Sequence, residues 1–103
     1  MSVLAELSIF PMDRGESVGD QVAAVVQLIR DSSISHQLTA MGTIMETEEL
    51  AQVLDMVEQT EALLSRQGSR RIYATLKLDI RQGPMGRLSG KVKSVNERIA
   101  SRD

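Results

Sequence analysis

The strict alternation of residues 70–81 constrains this chain more than any other feature. From residue 72 to residue 80 every second side chain is apolar, whereas the positions between them carry a hydroxyl or a charge. A period of two places successive side chains on opposite faces of a β-strand. The segment therefore predicts a strand with one face in a core and one face turned away from it.

Three other segments predict strands. Residues 3–10 alternate in the same way, and Pro11 then removes a backbone donor and ends the run. Residues 36–46 contain two short alternating runs divided near Gly42, which predicts a tight hairpin or a bulged pair of strands.

Apolar residues at helical spacing predict three helices. The first covers about residues 17–31 and begins at a capping box in which Ser17 is followed by Asp20. The second is capped by Thr47 and closes near residues 66–68. Its predicted buried stripe consists of Leu50, Val53, Leu54, Val57 and Leu64. The third helix follows the loop 82–86 and carries Leu88, Val92, Val95 and Ile99 on one side.

This order of elements predicts an α+β fold. A βαββαβ chain of this length is typical of the ferredoxin-like plait, a four-stranded antiparallel sheet with two helices on one face. The last helix is an extra C-terminal element, and residues 1–103 are expected to form a single domain. Alternation assigns to the helix-covered face Val3, Ala5, Leu7, Ile9, Leu38, Ala40, Ile72, Ala74, Leu76, Leu78 and Ile80.

The opposite face of the predicted sheet is mixed in character. It carries Leu4, Glu6, Ser8, Phe10, Thr39, Met41, Tyr73, Thr75, Lys77, Asp79 and Arg81. Such a face is either simply solvated, as is common in antiparallel sheets, or packed against another subunit around a polar pocket. Its clustered apolar members favour association.

Composition excludes several classes of function. The 12 basic and 14 acidic residues give a net charge of −2, which disfavours nucleic-acid binding. With no cysteine, neither disulfides nor thiolate metal sites can form, and no histidine-rich or acidic metal motif is present. We therefore expect no metal and no cofactor. No signal peptide or membrane span is predicted, and the expected location is the cytoplasm.

Catalytic motifs are equally sparse. His36 is the only histidine, and a small isomerase using Glu46 or Asp79 as its base would lack an identifiable acid–base partner. The prediction is a protein without enzymatic activity. Glu46 and Thr43 flank the Gly42 turn, where the carboxylate could bind an amino group or could merely support the dipole of the following helix.

Four segments together resemble a known family. They are residues 10–11 (Phe-Pro), 41–46 (Met-Gly-Thr-Ile-Met-Glu), 77–81 (Lys-Leu-Asp-Ile-Arg) and 91–95 (Lys-Val-Lys-Ser-Val). In this order they are similar to the small thiamine-binding-protein family of ferredoxin-like proteins. Two positions depart from the family pattern, because Ala40 stands where proline is usual and Thr47 where glycine is usual.

The resemblance implies a non-catalytic protein that binds thiamine or its hydroxymethylpyrimidine moiety at the sheet face, near a subunit interface. It also implies a cytoplasmic homotetramer built as a dimer of dimers. An aminopyrimidine requires acceptors and hydroxyl or backbone donors, and a thiazolium would favour a carboxylate such as Glu6. The predicted ligand-binding residues are Ser8, Phe10, Thr39, Met41, Gly42, Thr43, Glu46 and Tyr73. The alternative is a structural or regulatory homo-oligomer without a ligand of its own.

Overall fold

A computed structural model of the chain describes residues 1–15 and 18–102. Its elements are β1 (Ser2–Pro11), α1 (Gly19–Asp31), β2 (Ser35–Thr39), β3 (Gly42–Thr47), α2 (Leu50–Arg66), β4 (Ile72–Arg81) and α3 (Arg87–Ala100). The strands form one antiparallel sheet in the order β2-β3-β1-β4. This arrangement confirms the predicted ferredoxin-like α+β fold. The capping box predicted at Ser17 lies outside the described residues.

The core lies between one face of the sheet and the helices α1 and α2. Strand β1 alternates as predicted, with every second side chain from Val3 to Ile9 buried against the helices. The rest of this buried cluster is Val25, Ile29, Met45, Val53, Met56 and Leu64. Because these side chains are aliphatic or thioether groups, the core is built with no aromatic ring.

The edge strands are less covered than the alternation predicts. Leu38 and Ile80 do lie on the helix face, because their registers align them with Thr43 and Val3. Nevertheless Leu38 is 58% exposed and Ile80 is also exposed, since the two helices do not extend over the outer strands. Ala40 was expected on the same face but lies in the turn between β2 and β3, exposed to solvent.

Helix α2 begins later than the sequence predicts. Thr47 is the last residue of β3, and its hydroxyl donates to the carbonyl of Glu49 at 2.8 Å. The N-cap is Glu49 instead, and its N–H donates to the side-chain oxygen of Gln52 at 2.9 Å. Leu54 was predicted to be buried but is exposed. The buried stripe of α2 is Val53, Met56, Thr60 and Leu64.

The predicted hairpin is formed by β2 and β3, with a two-residue turn between Thr39 and Gly42. Gly42 has φ +155°, and a Cβ atom there would lie 2.8 Å from the carbonyl oxygen of Leu7. The Thr39 hydroxyl closes the turn, because it donates to the Gly42 carbonyl at 2.9 Å and accepts from the Met41 N–H at 3.1 Å. Glycine is therefore required where the hairpin passes against β1.

The C-terminal helix α3 lies on the opposite face of the sheet. Its residues Leu88 and Val92 face Leu4 and Glu6, which alternate with the core-facing residues of β1. None of the α3 side chains is buried. The described chain has a radius of gyration of 15.5 Å, whereas a compact domain of this length is expected near ~13 Å. Helix α3 therefore lies outside the compact core and makes few apolar contacts with the rest of the chain.

Candidate functional site

The structure separates the eight predicted ligand-binding residues. Ser8, Phe10, Thr39 and Tyr73 belong to the sheet face that α1 and α2 leave uncovered, which we call the open face. Thr43 points the other way, because it is in register with core-facing Leu7, and it is buried. Met41 is 80% exposed at the tip of the hairpin.

Six of these residues nevertheless meet around one cleft. Strand β3 pairs with β1 only as far as Leu7, whereas β4 pairs with β1 as far as Pro11. The edge of residues 8–11 that faces the hairpin therefore has no strand beside it. We call this gap the hairpin notch, and its volume is ≈ 180 Å³. The predicted ligand-binding residues that line it are Ser8, Phe10, Thr39, Met41, Gly42 and Thr43.

The walls of the hairpin notch differ in chemistry. One wall is apolar and comes from α1, through Val22, Val25, Val26 and Ile29, a contribution that the sequence patterns did not predict. The rest of the lining comes from the ends of the strands, where Ser8, Thr39 and Thr43 carry hydroxyl groups. In an antiparallel strand the backbone N–H and C=O groups of alternate residues face each neighbouring position. Where β1 lacks a neighbour, its backbone offers hydrogen-bonding groups to the notch.

An aromatic pair lies next to the notch on the open face. Phe10 and Tyr73 are directly opposite in the β1–β4 register, with ring centroids 5.7 Å apart and planes inclined by 34°. Tyr73 is 55% exposed, whereas Phe10 is half-buried. This confirms the prediction that both aromatic residues share the face opposite α1 and α2. Tyr73 does not line the notch, but it lies beside Phe10, which does.

Glu46 is far from the notch and has a different set of partners. It lies on the open face in register with Leu4, but the first turn of α3 covers it and leaves 3% of the residue exposed. Its carboxylate accepts hydrogen bonds from the N–H groups of Gly86, Arg87 and Leu88 at 3.0–3.1 Å. The Ser2 hydroxyl donates to the same carboxylate at 2.5 Å. Glu46 therefore caps α3 from across the sheet.

Hydrogen bonding determines the charge state of Glu46. Burial raises the pKa of this carboxyl, but the Ser2 hydroxyl and the three backbone N–H groups favour the ionised form more strongly. The pKa of Glu46 consequently lies below its ordinary value. A carboxylate has about four acceptor positions, and these donors occupy them. Contact between Glu46 and a ligand stays a prediction, and it would require the first turn of α3 to move away.

Arg87 completes this anchor of α3. Its guanidinium donates to the Ser2 hydroxyl at 3.0 Å, to the Ser2 carbonyl at 2.7 Å and to the Asp79 carbonyl at 2.9 Å. It also forms an ion pair with the Asp79 carboxylate at 3.2 Å. The sequence patterns singled out neither Arg87 nor Ser2. Because Glu46 and Ser2 lie 40 or more residues from the start of α3, no local spacing reveals these contacts.

Other chemistry is limited in the described parts of the chain. His36 donates through Nδ1 to the carbonyl of Ile34 at 2.8 Å, a contact within its own strand region. Among residues 1–15 and 18–102, no three histidine or acidic side chains come together as a metal site. No helix in the same residues is long and apolar enough to cross a membrane.

Comparison with known proteins identifies the fold and the family of this chain. The four-stranded antiparallel sheet and its flanking helices define the chain as a ferredoxin-like α+β protein. A protein from Methanocaldococcus jannaschii has a similar structure, with a TM-score of 0.79 at 27% identity, over 93% of this chain and 97% of that one. The chain belongs to the thiamine-binding protein family, whose model matches residues 5–96.

Relatives extend across archaea and bacteria. A UPF0045 protein of Methanothermobacter thermautotrophicus is 33% identical over 98 residues, covering 94% of this chain and 99% of the relative. A UPF0045 protein of Mycobacterium tuberculosis is 35% identical over 96 residues, covering 92% of each. A Thermotoga maritima protein, assigned by hypothesis to thiamine biosynthesis or salvage, shares the fold with a TM-score of 0.78 at 17% identity, covering 92% of this chain and 99% of that one.

Proposed function

We propose that this protein binds the hydroxymethylpyrimidine moiety of thiamine, or a closely similar aminopyrimidine, in the hairpin notch without transforming it. The observation that carries the proposal is the gap in the sheet beside residues 8–11. A ring that presents alternating donors and acceptors on its edge can replace the missing strand there. The family to which the chain belongs supports a thiamine-like ligand.

The size and charge of the notch favour the pyrimidine over the whole vitamin. Its ≈ 180 Å³ is close to the ~150 Å³ cavity that accommodates a benzene ring. No acidic side chain from residues 1–15 or 18–102 lines it, so a cationic thiazolium would find no counter-charge among them. The apolar wall from α1 covers one ring face, while the hydroxyls of Ser8, Thr39 and Thr43 bind the polar edge. Glu6 and Glu46 belong to other parts of the open face.

The absence of catalysis is part of the proposal. Glu46 and Asp79, the two acids weighed as bases, are engaged by the N-terminus of α3 and by Arg87. A cytoplasmic location, predicted from the sequence, belongs to the same proposal.

Calorimetric titration of the native chain with hydroxymethylpyrimidine tests the function. We expect binding, and we expect Ser8→Ala to weaken it about 5-fold, the equivalent of ~1 kcal/mol for one hydrogen bond. Ser89→Ala is the matched control, because Ser89 is exposed on α3 and does not line the notch. The isolated thiazole should not bind.

A parallel titration followed by nuclear magnetic resonance locates the bound ligand. The backbone amides of residues 8–10 and 39–43 should shift on titration with the pyrimidine. If the pyrimidine fails to bind at millimolar concentration, the proposed function is wrong. If Ser8→Ala and Ser89→Ala bind equally well, or if the shifts lie outside the notch, the proposed site is wrong.

We also propose that the chain assembles as a homotetramer, a dimer of dimers. Large apolar side chains remain uncovered on two elements, namely Tyr73 and Leu78 on β4 and Val92 and Ile99 on α3. A helix with no buried residue gains its packing when a second copy covers it. An oligomer that binds no pyrimidine would instead support the purely structural or regulatory alternative.

Analytical ultracentrifugation tests the assembly. The native chain should sediment as a tetramer, and Ile99→Glu should shift it to smaller species. Leu54→Glu is the matched control, because Leu54 is an exposed apolar residue of α2 on the other side of the sheet. A monomeric native chain, or equal dissociation of both variants, contradicts the proposal.

A further inference from the structure

Charge is unevenly distributed along this nearly neutral chain. Residues 1–69 contain three basic and eleven acidic residues, whereas residues 70–103 contain nine basic and three acidic residues. The second segment comprises β4 and α3. One part of the molecule therefore attracts anions although the net charge of the whole chain is −2.

Part of this positive charge surrounds a cleft between α3 and the end of β4, which we call the basic cleft. It encloses ≈ 720 Å³, and four cationic side chains line it: Arg81, Arg87, Lys91 and Arg98. Lys91, Ser94 and Arg98 are spaced by three and four residues, which aligns them on one side of the helix. Arg81 approaches from the opposite wall, at the end of β4.

Three of the four cationic groups of the basic cleft are available to a ligand. Among the residues that the structure describes, Asp79 is the only acidic one in its lining, and its carboxylate is paired with Arg87 at 3.2 Å. In the described residues no carboxylate lies within ion-pair distance of Arg81, Lys91 or Arg98. The N-terminus of α3 is already occupied by Glu46, so an anion would bind to the side chains rather than to the helix end.

The basic cleft also has an apolar part, formed by Leu4, Ile80, Met85 and Val95. Its volume lies within the range of ~300–1,000 Å³ that is usual for small-molecule sites. A bare inorganic anion would leave this apolar surface without a contact. The combination matches a molecule with an organic body and a charged phosphate end, since Arg and Lys are the preferred partners of phosphate oxygens.

We propose that the basic cleft binds a small organic phosphate or diphosphate ester, with its phosphate at Arg81, Lys91 and Arg98. This site is distinct from the hairpin notch. Leu4 and Phe10 are six residues apart on β1, which corresponds to about 20 Å along the strand. The proposal is therefore independent of the proposed pyrimidine function.

Calorimetric titration with inorganic pyrophosphate tests the charged part of the site. We expect binding that Lys91→Ala and Arg98→Ala each weaken at least 5-fold. Lys93→Ala is the matched control, because Lys93 carries the same charge on the same helix but lines a different groove. Its affinity should stay within 2-fold of the native chain. Circular dichroism shows whether each variant is folded.

Further measurements distinguish a small phosphate ligand from a nucleic-acid polymer, and the basic cleft from the hairpin notch. Phe10→Leu should leave pyrophosphate binding unchanged even if it abolishes pyrimidine binding. Equal weakening by Lys91→Ala and Lys93→Ala would reveal bulk electrostatic attraction and overturn the proposal. No binding at millimolar pyrophosphate would also overturn it. Single-stranded oligonucleotides that bind more tightly with increasing length would overturn it in favour of a polymer partner.

Discussion

Replacing Glu46 by glutamine tests whether one buried carboxylate holds α3 on the sheet. The native carboxylate accepts from the Ser2 hydroxyl and from the N–H groups of Gly86, Arg87 and Leu88. Glutamine keeps one oxygen but turns an NH₂ donor toward the remaining N–H groups. Charge-assisted hydrogen bonds contribute roughly 1.5–3 kcal/mol each. Losing about half of these acceptors should cost about 3 kcal/mol.

This loss should fall on α3 before it affects the rest of the fold. Because α3 has no buried side chain, few other contacts compensate for a weakened anchor. At 1.36 kcal/mol per tenfold change, ~3 kcal/mol corresponds to amide hydrogen exchange that is on the order of 100-fold faster. Exchange measured by nuclear magnetic resonance at Gly86, Arg87 and Leu88 reports this directly, while the amides of β1 should be much less affected.

Glu58→Gln is the control for the change of charge. Glu58 is exposed on α2, so its replacement removes the same charge without removing a buried acceptor. Surface substitutions of this kind usually change stability by no more than ~0.5 kcal/mol. If Glu46→Gln and Glu58→Gln show the same exchange rates in α3, the anchor lies elsewhere and our reasoning is refuted.

Three further predictions concern the fold. Because the pKa of Glu46 is lowered in the folded protein, its stabilising effect is present above its ordinary pKa of 4.5 and is lost as pH falls through the lower, folded value. Urea unfolding across this range should therefore show a smaller decline for Glu46→Gln than for the native chain. Gly42→Ala should lower the free energy of unfolding by ~2 kcal/mol or more, because its Cβ would lie 2.8 Å from a β1 carbonyl oxygen. Gly90→Ala, within α3 and with nothing within 4 Å of the new Cβ, should be neutral or stabilising. Equal losses of unfolding free energy in the two glycine variants would contradict this prediction. Met45→Ala should cost roughly 2–5 kcal/mol in the same assay, and Met41→Ala under ~0.5 kcal/mol, because the first is fully buried and the second is exposed.

The strands could be predicted because their information is local. The alternation in β1 and β4 assigns each side chain to a face, and the register confirms those faces. Coverage of a face is not local, since it depends on how far the helices extend over the sheet. Leu38 therefore has the predicted orientation but not the predicted burial.

The same contrast between local and non-local information applies to the two sites. Six residues of the hairpin notch were predicted, but its apolar wall comes from α1, whose placement follows only from the packed fold. The predicted role of Glu46 as a support for the following helix named the right physical effect. The helix that it caps is α3, 40 residues further along the chain, rather than α2. A carboxylate in a strand gives no local indication of such a partner.

The pairing of Phe10 and Tyr73 has a practical consequence. The chain has no tryptophan and one tyrosine, so its intrinsic ultraviolet emission comes from a single known position. That position is on the open face, beside the notch and more than half exposed. Shielding of the phenol by a ligand or by a second copy of the chain would alter this emission. The native protein thus contains its own optical reporter for events at the open face, without a label or an engineered residue.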